Sequence, residues 1–119
     1  MSIINTSRAA HYHWQGTCDG WPLVAAQGLS VKQERMPPGT SEDCHFHARA
    51  RQFFYVLSGA LCMDLDGEVF HLGAQDGLEV APNTPHQARN ESKSDVEFLV
   101  ISAPGTQGDK VVADAAPQR

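Results

Sequence analysis

Between Trp21 and Ser102, apolar side chains recur at every second position in short runs, and Gly, Pro, Asn or Asp closes most of them. Such alternation sends successive side chains to opposite faces of a strand and buries one face. No window of about 11 residues carries apolar positions at the i, i+3, i+4, i+7 spacing of an amphipathic helix. The pattern predicts strands over Trp21–Ala26 and Leu29–Met36 about a Gln27-Gly28 turn, then Cys44–His47 and Gln52–Leu57. Ala60–Leu65 and Glu68–Leu72 read as a hairpin, because Asp66-Gly67 is a favoured type I′ pair. Leu78–Ala81, His86–Asn90 and Val96–Ser102 complete the set, joined by loops rich in Pro, Asn, Thr and Ser. Short strands with turn signals about every 8–12 residues make an all-β antiparallel sandwich or barrel. The barrel is expected over 21–104. An N-terminal arm with room for one short strand precedes it over 1–20, and a polar, Ala-rich C-terminal tail follows over 105–119.

Composition narrows the picture. At 119 residues the chain is one domain, and 41% hydrophobic with 19% charged residues suits a folded globule. Nine basic against 14 acidic residues give a net charge of −5 with no basic run, which argues against a nucleic-acid partner. Every apolar stretch falls far short of the ~20 residues of a membrane helix, and no basic and apolar leader is visible at the start. Cys18, Cys44 and Cys62 are odd in number and widely spaced. They make neither a disulfide framework nor a CxxC knuckle, which fits a reducing cytoplasm.

The chemistry concentrates on histidine. His45 and His47 leave a predicted strand on the same face, so both imidazoles can reach one point while Cys44 and Phe46 face away. Gln52 opens the next strand, and a short turn would bring its amide oxygen beside them. His86 begins a later strand directly after Pro82-Asn83-Thr84-Pro85. Three imidazoles and one carbonyl oxygen suit a divalent first-row metal with coordination positions left open. An HxH pair alone is as ordinary on a surface or in a core: His11 and His13 have the same spacing and read as surface residues of the arm, and His71 as a strand residue.

What separates His45, His47 and His86 is their surroundings. Gly39 precedes His45-Phe46-His47, Gln52 follows, and Gly59 closes the run. That order resembles the first cupin motif, Gly-x5-His-x-His-x3–4-Glu-x6-Gly, with Gln52 in place of Glu. Of the second motif, Gly-x5-Pro-x-Gly-x2-His-x3-Asn, His86 and Asn90 are retained, with Pro82 and Gly77 displaced by one and two places. The resemblance covers about residues 28–104. It implies a small single-domain, RmlC-like antiparallel β-barrel or jelly roll, with His45, His47, Gln52 and His86 holding one divalent transition metal ion (Ni, Zn, Mn or Fe). The three-His-one-Gln set is similar to that of small cupins that linearise unsaturated uronates. The acidic residue and arginine those enzymes place near the last strand have no counterpart in Val100–Thr106, so their catalytic partners do not carry over.

A neutral Gln52 leaves the ion its full charge and favours polarising a sugar or keto-acid oxygen over activating dioxygen. The expectation is a non-redox isomerase or lyase on a small oxygen-rich metabolite. The alternatives are a cupin dioxygenase and a non-catalytic small-ligand barrel. By parity Phe54 and Val56 form an apolar wall or plain core, with Met63 and Phe98 as weaker candidates. Arg49 meets an anionic substrate at the mouth or is a solvated turn residue. Glu42 and Asp43 read as solvated loop. Either Lys32 and Glu34 or Gln33 and Arg35 point inward. Tyr55 lies outside the barrel, and a homodimer with Trp14 and Trp21 at the contact is expected.

Overall fold

The structure is a computed structural model and describes residues 2–113. Among these residues lie eleven strands and no helix: β1 Tyr12–Trp14, β2 Cys18–Ala25, β3 Ser30–Met36, β4 His45–His47, β5 Arg51–Ser58, β6 Leu61–Leu65, β7 Glu68–Leu72, β8 Gly77–Val80, β9 His86–Arg89, β10 Val96–Ala103 and β11 Lys110–Val112. They form two antiparallel sheets, ordered β1-β2-β3-β10-β5-β8 and β11-β4-β9-β6-β7. The fold is the all-β antiparallel barrel that the alternation implies. The β6–β7 hairpin turns through Asp66 and Gly67 at φ +49° and +90°, the two positive values a type I′ turn requires.

β10 lies between β3 and β5, and its register sets the interior. Val96 pairs with Met36, Phe98 with Val56 and Glu34, Val100 with Phe54 and Lys32, and Ser102 with Gln52 and Ser30. Residues directly opposed across antiparallel strands share a face. The inward column therefore runs from hydrocarbon at Val96 to polar groups at Ser102. The apolar end closes on Met36, Val56, Leu61, Met63, Val96 and Phe98, all at most 1% exposed. Burying Phe98 alone contributes roughly 2–3 kcal/mol. The polar end is the mouth. This register also settles β3: Lys32 and Glu34 face inward, while Gln33 donates to Glu97 and Arg35 to Asp19 outside.

The sheets reach past the expected barrel limits of 21 and 104. β1 and the first residues of β2 belong to the arm over 1–20, and they pair Tyr12 with Gly20 and Trp14 with Cys18. Cys18-Asp19-Gly20 reads as a turn in sequence, yet all three residues are buried. β11, inside the expected tail, pairs Lys110 with His47 and Val112 with His45. Both strands are only three residues long, too short to show a period. The tail also supplies Asp109, which is buried; its carboxylate accepts the N–H groups of Arg49 and Ala50 and fixes the β4–β5 turn. Met1 and residues 114–119 of the arm and tail lie outside the described residues.

A second clamp closes the apolar end. The Asn90 side chain, 1% exposed, donates to the carbonyls of Met36 and Ser94, each at 2.8 Å, and accepts from the Ser92 N–H and Oγ. It ties the exit of β9 in one sheet to the end of β3 in the other.

Candidate metal centre and its cavity

His45 and His47 project from the same face of β4, and His45 stands opposite His86 of β9. One ring nitrogen from each of the three histidines lies within 4.8 Å of the others. The His45 and His86 centroids are 4.4 Å apart, with His45–His47 at 5.0 Å and His47–His86 at 5.9 Å. All three side chains are buried.

Local backbone orients the rings. His45 Nδ1 lies 2.8 Å from the Asp43 carbonyl, and His86 Nδ1 lies 2.9 Å from the Thr84 carbonyl. A carbonyl only accepts, so each Nδ1 carries the proton and each Nε2 keeps its lone pair for the cluster. His86 Nε2, His47 Nδ1 and Gln52 Oε1 are buried without a hydrogen-bond partner. The Gln52 Nε2 donates to Ser102 Oγ at 3.1 Å, and its Oε1 is left without a hydrogen bond. Burial pushes the His45 and His47 imidazoles down to about 4 and lowers His86, so all three are neutral near pH 7. Several unpartnered buried acceptors at one point are costly unless a cation joins them. The donor set suits a divalent first-row ion, and His45, His47 and His86 can hold one.

A cavity of about 320 Å³ opens over the cluster. Phe54 lines it and meets the His86 ring edge-on, with centroids 5.9 Å apart. Val56, Met63 and Phe98 do not reach the wall; they pack in the core beneath, and Val100 takes their place beside Phe54. Arg49 is exposed on the β4–β5 turn and lines a neighbouring cavity. Its Nε lies 3.4 Å from Asp109.

Further charged and polar groups stand around the cluster. Glu42 is no solvated loop residue: it lines the cavity and accepts the Ala88 N–H at 2.9 Å. β4 pairs with β9 only at His45, which leaves that N–H for the carboxylate. Burial, against this hydrogen bond, pushes the Glu42 carboxyl up to about 8. Tyr12 reaches across β2 and donates to Glu34 at 2.8 Å. Its ring lies over Gly20, where any side chain would collide with it. A glycine inside a strand marks such a close approach, and it was the one signal in the sequence for this pair. Burial raises the Glu34 carboxyl and the Tyr12 hydroxyl alike. Lys32 and Lys110 complete the charged lining.

Trp14 also lines this cavity and donates to the Asp19 carbonyl. Trp21 lies under Arg35, 5.3 Å from ring to guanidinium carbon. His11 and His13 are exposed and gather on Asp19, whose other oxygen Arg35 holds at 2.6 Å. Tyr55 faces outward and stacks on Phe53.

The family described as "Cupin domain" matches residues 32–102. A curated relative named "Polyketide synthase CurC", from Streptomyces cyaneus, is 35% identical over 77 residues. That alignment takes in 65% of this chain and 47% of the relative, so the chain spans about half the length of that protein. Among solved structures, KdgF from a Halomonas species superposes with a TM-score of 0.80 at 20% identity, covering 88% of this chain and 94% of that one. A sugar phosphate isomerase from Silicibacter pomeroyi gives 0.77 at 17% identity, covering 87% of this chain and 76% of its own. At these identities the two structures establish the fold and nothing finer.

Proposed function

This chain belongs to the cupin domain family, and on that footing we propose that it is a metal-dependent isomerase or lyase acting on a small oxygen-rich metabolite such as a sugar or keto acid. The supporting observation is the meeting of three buried imidazoles, two with unpartnered nitrogens, beside a cavity that His45 and His47 line and whose walls carry separate proton donors and acceptors. His45, His47 and His86, with the Gln52 oxygen, are the residues to hold one divalent ion (Ni, Zn, Mn or Fe). Such an ion supplies Lewis acidity toward a substrate oxygen.

The protein's own groups handle the rest. Glu42, protonated at neutral pH, is placed to give a proton. Glu34 is placed to take one, with the Tyr12 hydroxyl donating to it. Ser102 fixes the Gln52 amide, and Phe54 and Val100 keep water from the inner wall. Acid–base groups beside a site of neutral ligands favour proton transfer over electron transfer. A neighbour of the same fold described as a sugar phosphate isomerase, from Silicibacter pomeroyi, supports this reading.

No helix of the described residues is long and apolar enough to cross a membrane, and Cys18, Cys44 and Cys62 are unpaired. These features support a cytoplasmic location. Phe53 and Leu57, each 39% exposed on the outward face of β5, support a homodimer.

Elemental analysis of purified protein is the test: about one divalent metal per chain is expected, lost in His45→Ala. A turnover screen of keto-sugars, uronates, β-diketones and flavonols, with and without oxygen, then assigns the chemistry. Oxygen consumption would point to a dioxygenase. Ligand-induced stabilisation without turnover would point to a binding barrel. Absence of metal from both proteins would end the metalloenzyme reading.

A further inference from the structure

A second cavity, about 680 Å³, adjoins the first. Lys32, Thr106 and Gln107 border both, so a ligand can extend from one into the other. The charge of the outer cavity runs against that of the chain. The chain has 14 acidic and 9 basic residues, yet Lys32 and Arg49 line this space and no Asp or Glu among the described residues does. Lys32 makes no ion pair among the described residues, and its Nζ stands 5.9 Å from the Tyr12 ring. Asp109 holds Arg49 by its backbone N–H and approaches Nε at 3.4 Å. That contact anchors the root of the guanidinium and leaves its terminal nitrogens without a hydrogen-bond partner among the described residues. Ser30, Gln27, Thr106 and Gln107 add polar groups to the same wall.

We propose that the outer cavity binds the oxyanion end of the substrate, a carboxylate or a phosphate, through Lys32 and Arg49, while the reacting oxygens lie over the histidine cluster. The placement of the reacting end rests on the metal-centre reading above; the anion site stands on its own residues. A planar guanidinium presents two parallel N–H donors to an oxyanion, and an ammonium adds a mobile point charge. Lys32 borders both cavities, so an anionic end held there would lie beside the space over the histidine cluster. The substrate class is thereby an anionic sugar or hydroxy acid rather than a neutral sugar.

Glucose, glucuronate and glucose 6-phosphate share one pyranose ring and differ in the charge at C6, and calorimetric titration of each into metal-loaded and metal-stripped protein tests the proposal. At least one anionic member should bind about tenfold or more tighter than glucose, and the preferred one distinguishes carboxylate from phosphate. Lys32→Gln and Arg49→Gln should each cut anion affinity about tenfold at unchanged metal content and melting temperature. Amide NMR shifts on anion addition should centre on residues 32, 49, 106 and 107. Anion binding that survives metal removal supports the outer site even where the metal reading fails. Equal affinity for all three probes, no binding of any, or full anion affinity in both variants would overturn the proposal.

Discussion

Asn90 offers a direct test of how the two sheets are joined. Asn90→Ala removes four side-chain hydrogen bonds: two donated to Met36 and Ser94, and two accepted from Ser92. Their partners differ in what happens next. Met36 is fully buried, so its carbonyl loses its donor with no water to replace it, at about 1–3 kcal/mol. Ser94 is exposed and Ser92 half-buried, so water recovers much of what they lose, and the three remaining bonds contribute about 0.5 kcal/mol each. The sum is about 3 kcal/mol. At about 4 °C per kcal/mol for a chain of this length, the midpoint falls by about 12 °C. Urea denaturation and calorimetry of wild type and variant measure both quantities. Asn90→Asp is the companion: it keeps the acceptor for Ser92 but aims a carboxylate at two carbonyls. It should cost at least as much at pH 7 and less at pH 4, where the protonated acid regains one donor. A loss below 1 kcal/mol in the Ala variant, or an Asp variant as stable as wild type at pH 7, would refute the argument from the buried Met36 carbonyl.

Acid should unfold the metal-free protein earlier than its carboxylates alone dictate. His45 and His47 are held at about 4 in the fold and titrate at 6.5 in the unfolded chain, so between those values the unfolded state binds more protons and stability falls with pH. The displacement is worth roughly 3 kcal/mol per imidazole at most, and a thermal-melt series from pH 7.5 to 4 that stays flat between 6.5 and 4 would contradict it. Glu42 acts in the opposite direction. Its carboxyl is raised from 4.5 to about 8, so the fold loses stability as pH climbs through that window. Glu42→Gln keeps an acceptor for the Ala88 N–H and should stabilise the protein at pH 8 by about 2 kcal/mol, after discounting for partial exposure, with little change at pH 4. An equal effect at both pH values would show that the carboxyl's charge is not the cause.

The strands from Trp21 to Ser102 were legible because one-by-one alternation survives wherever one face is buried. That His45 and His47 share a face followed from parity; that His86 joins them was implied by the resemblance to the cupin motifs, and the structure brings the three together. Facing was not legible in β3, where Lys32, Gln33, Glu34 and Arg35 alternate polar with polar; only pairing with β10 decides which two enter the cavity. Val56, Met63 and Phe98 had the right parity for a wall, but depth along the barrel axis separates wall from core, and parity carries no depth. Tyr12, Asp109 and Lys110 escaped notice, and Glu42 reads as solvated loop, because short strands and side-chain-to-backbone bonds place them, and neither leaves a period.

Every proposed ion-binding side chain lies between positions 45 and 86, whereas Tyr12, Trp14, Thr106, Gln107 and Lys110, which face the ligand space, come from the two ends of the polypeptide. The proposed ion ligands and part of the cavity wall thus come from separate stretches of the chain. Exchanging residues 12–14 or 106–110 would change that wall and leave the proposed ligands in place. Because β11 pairs with β4 and Asp109 holds the β4–β5 turn, a change near residues 109–112 would be felt in stability as well as in the cavity.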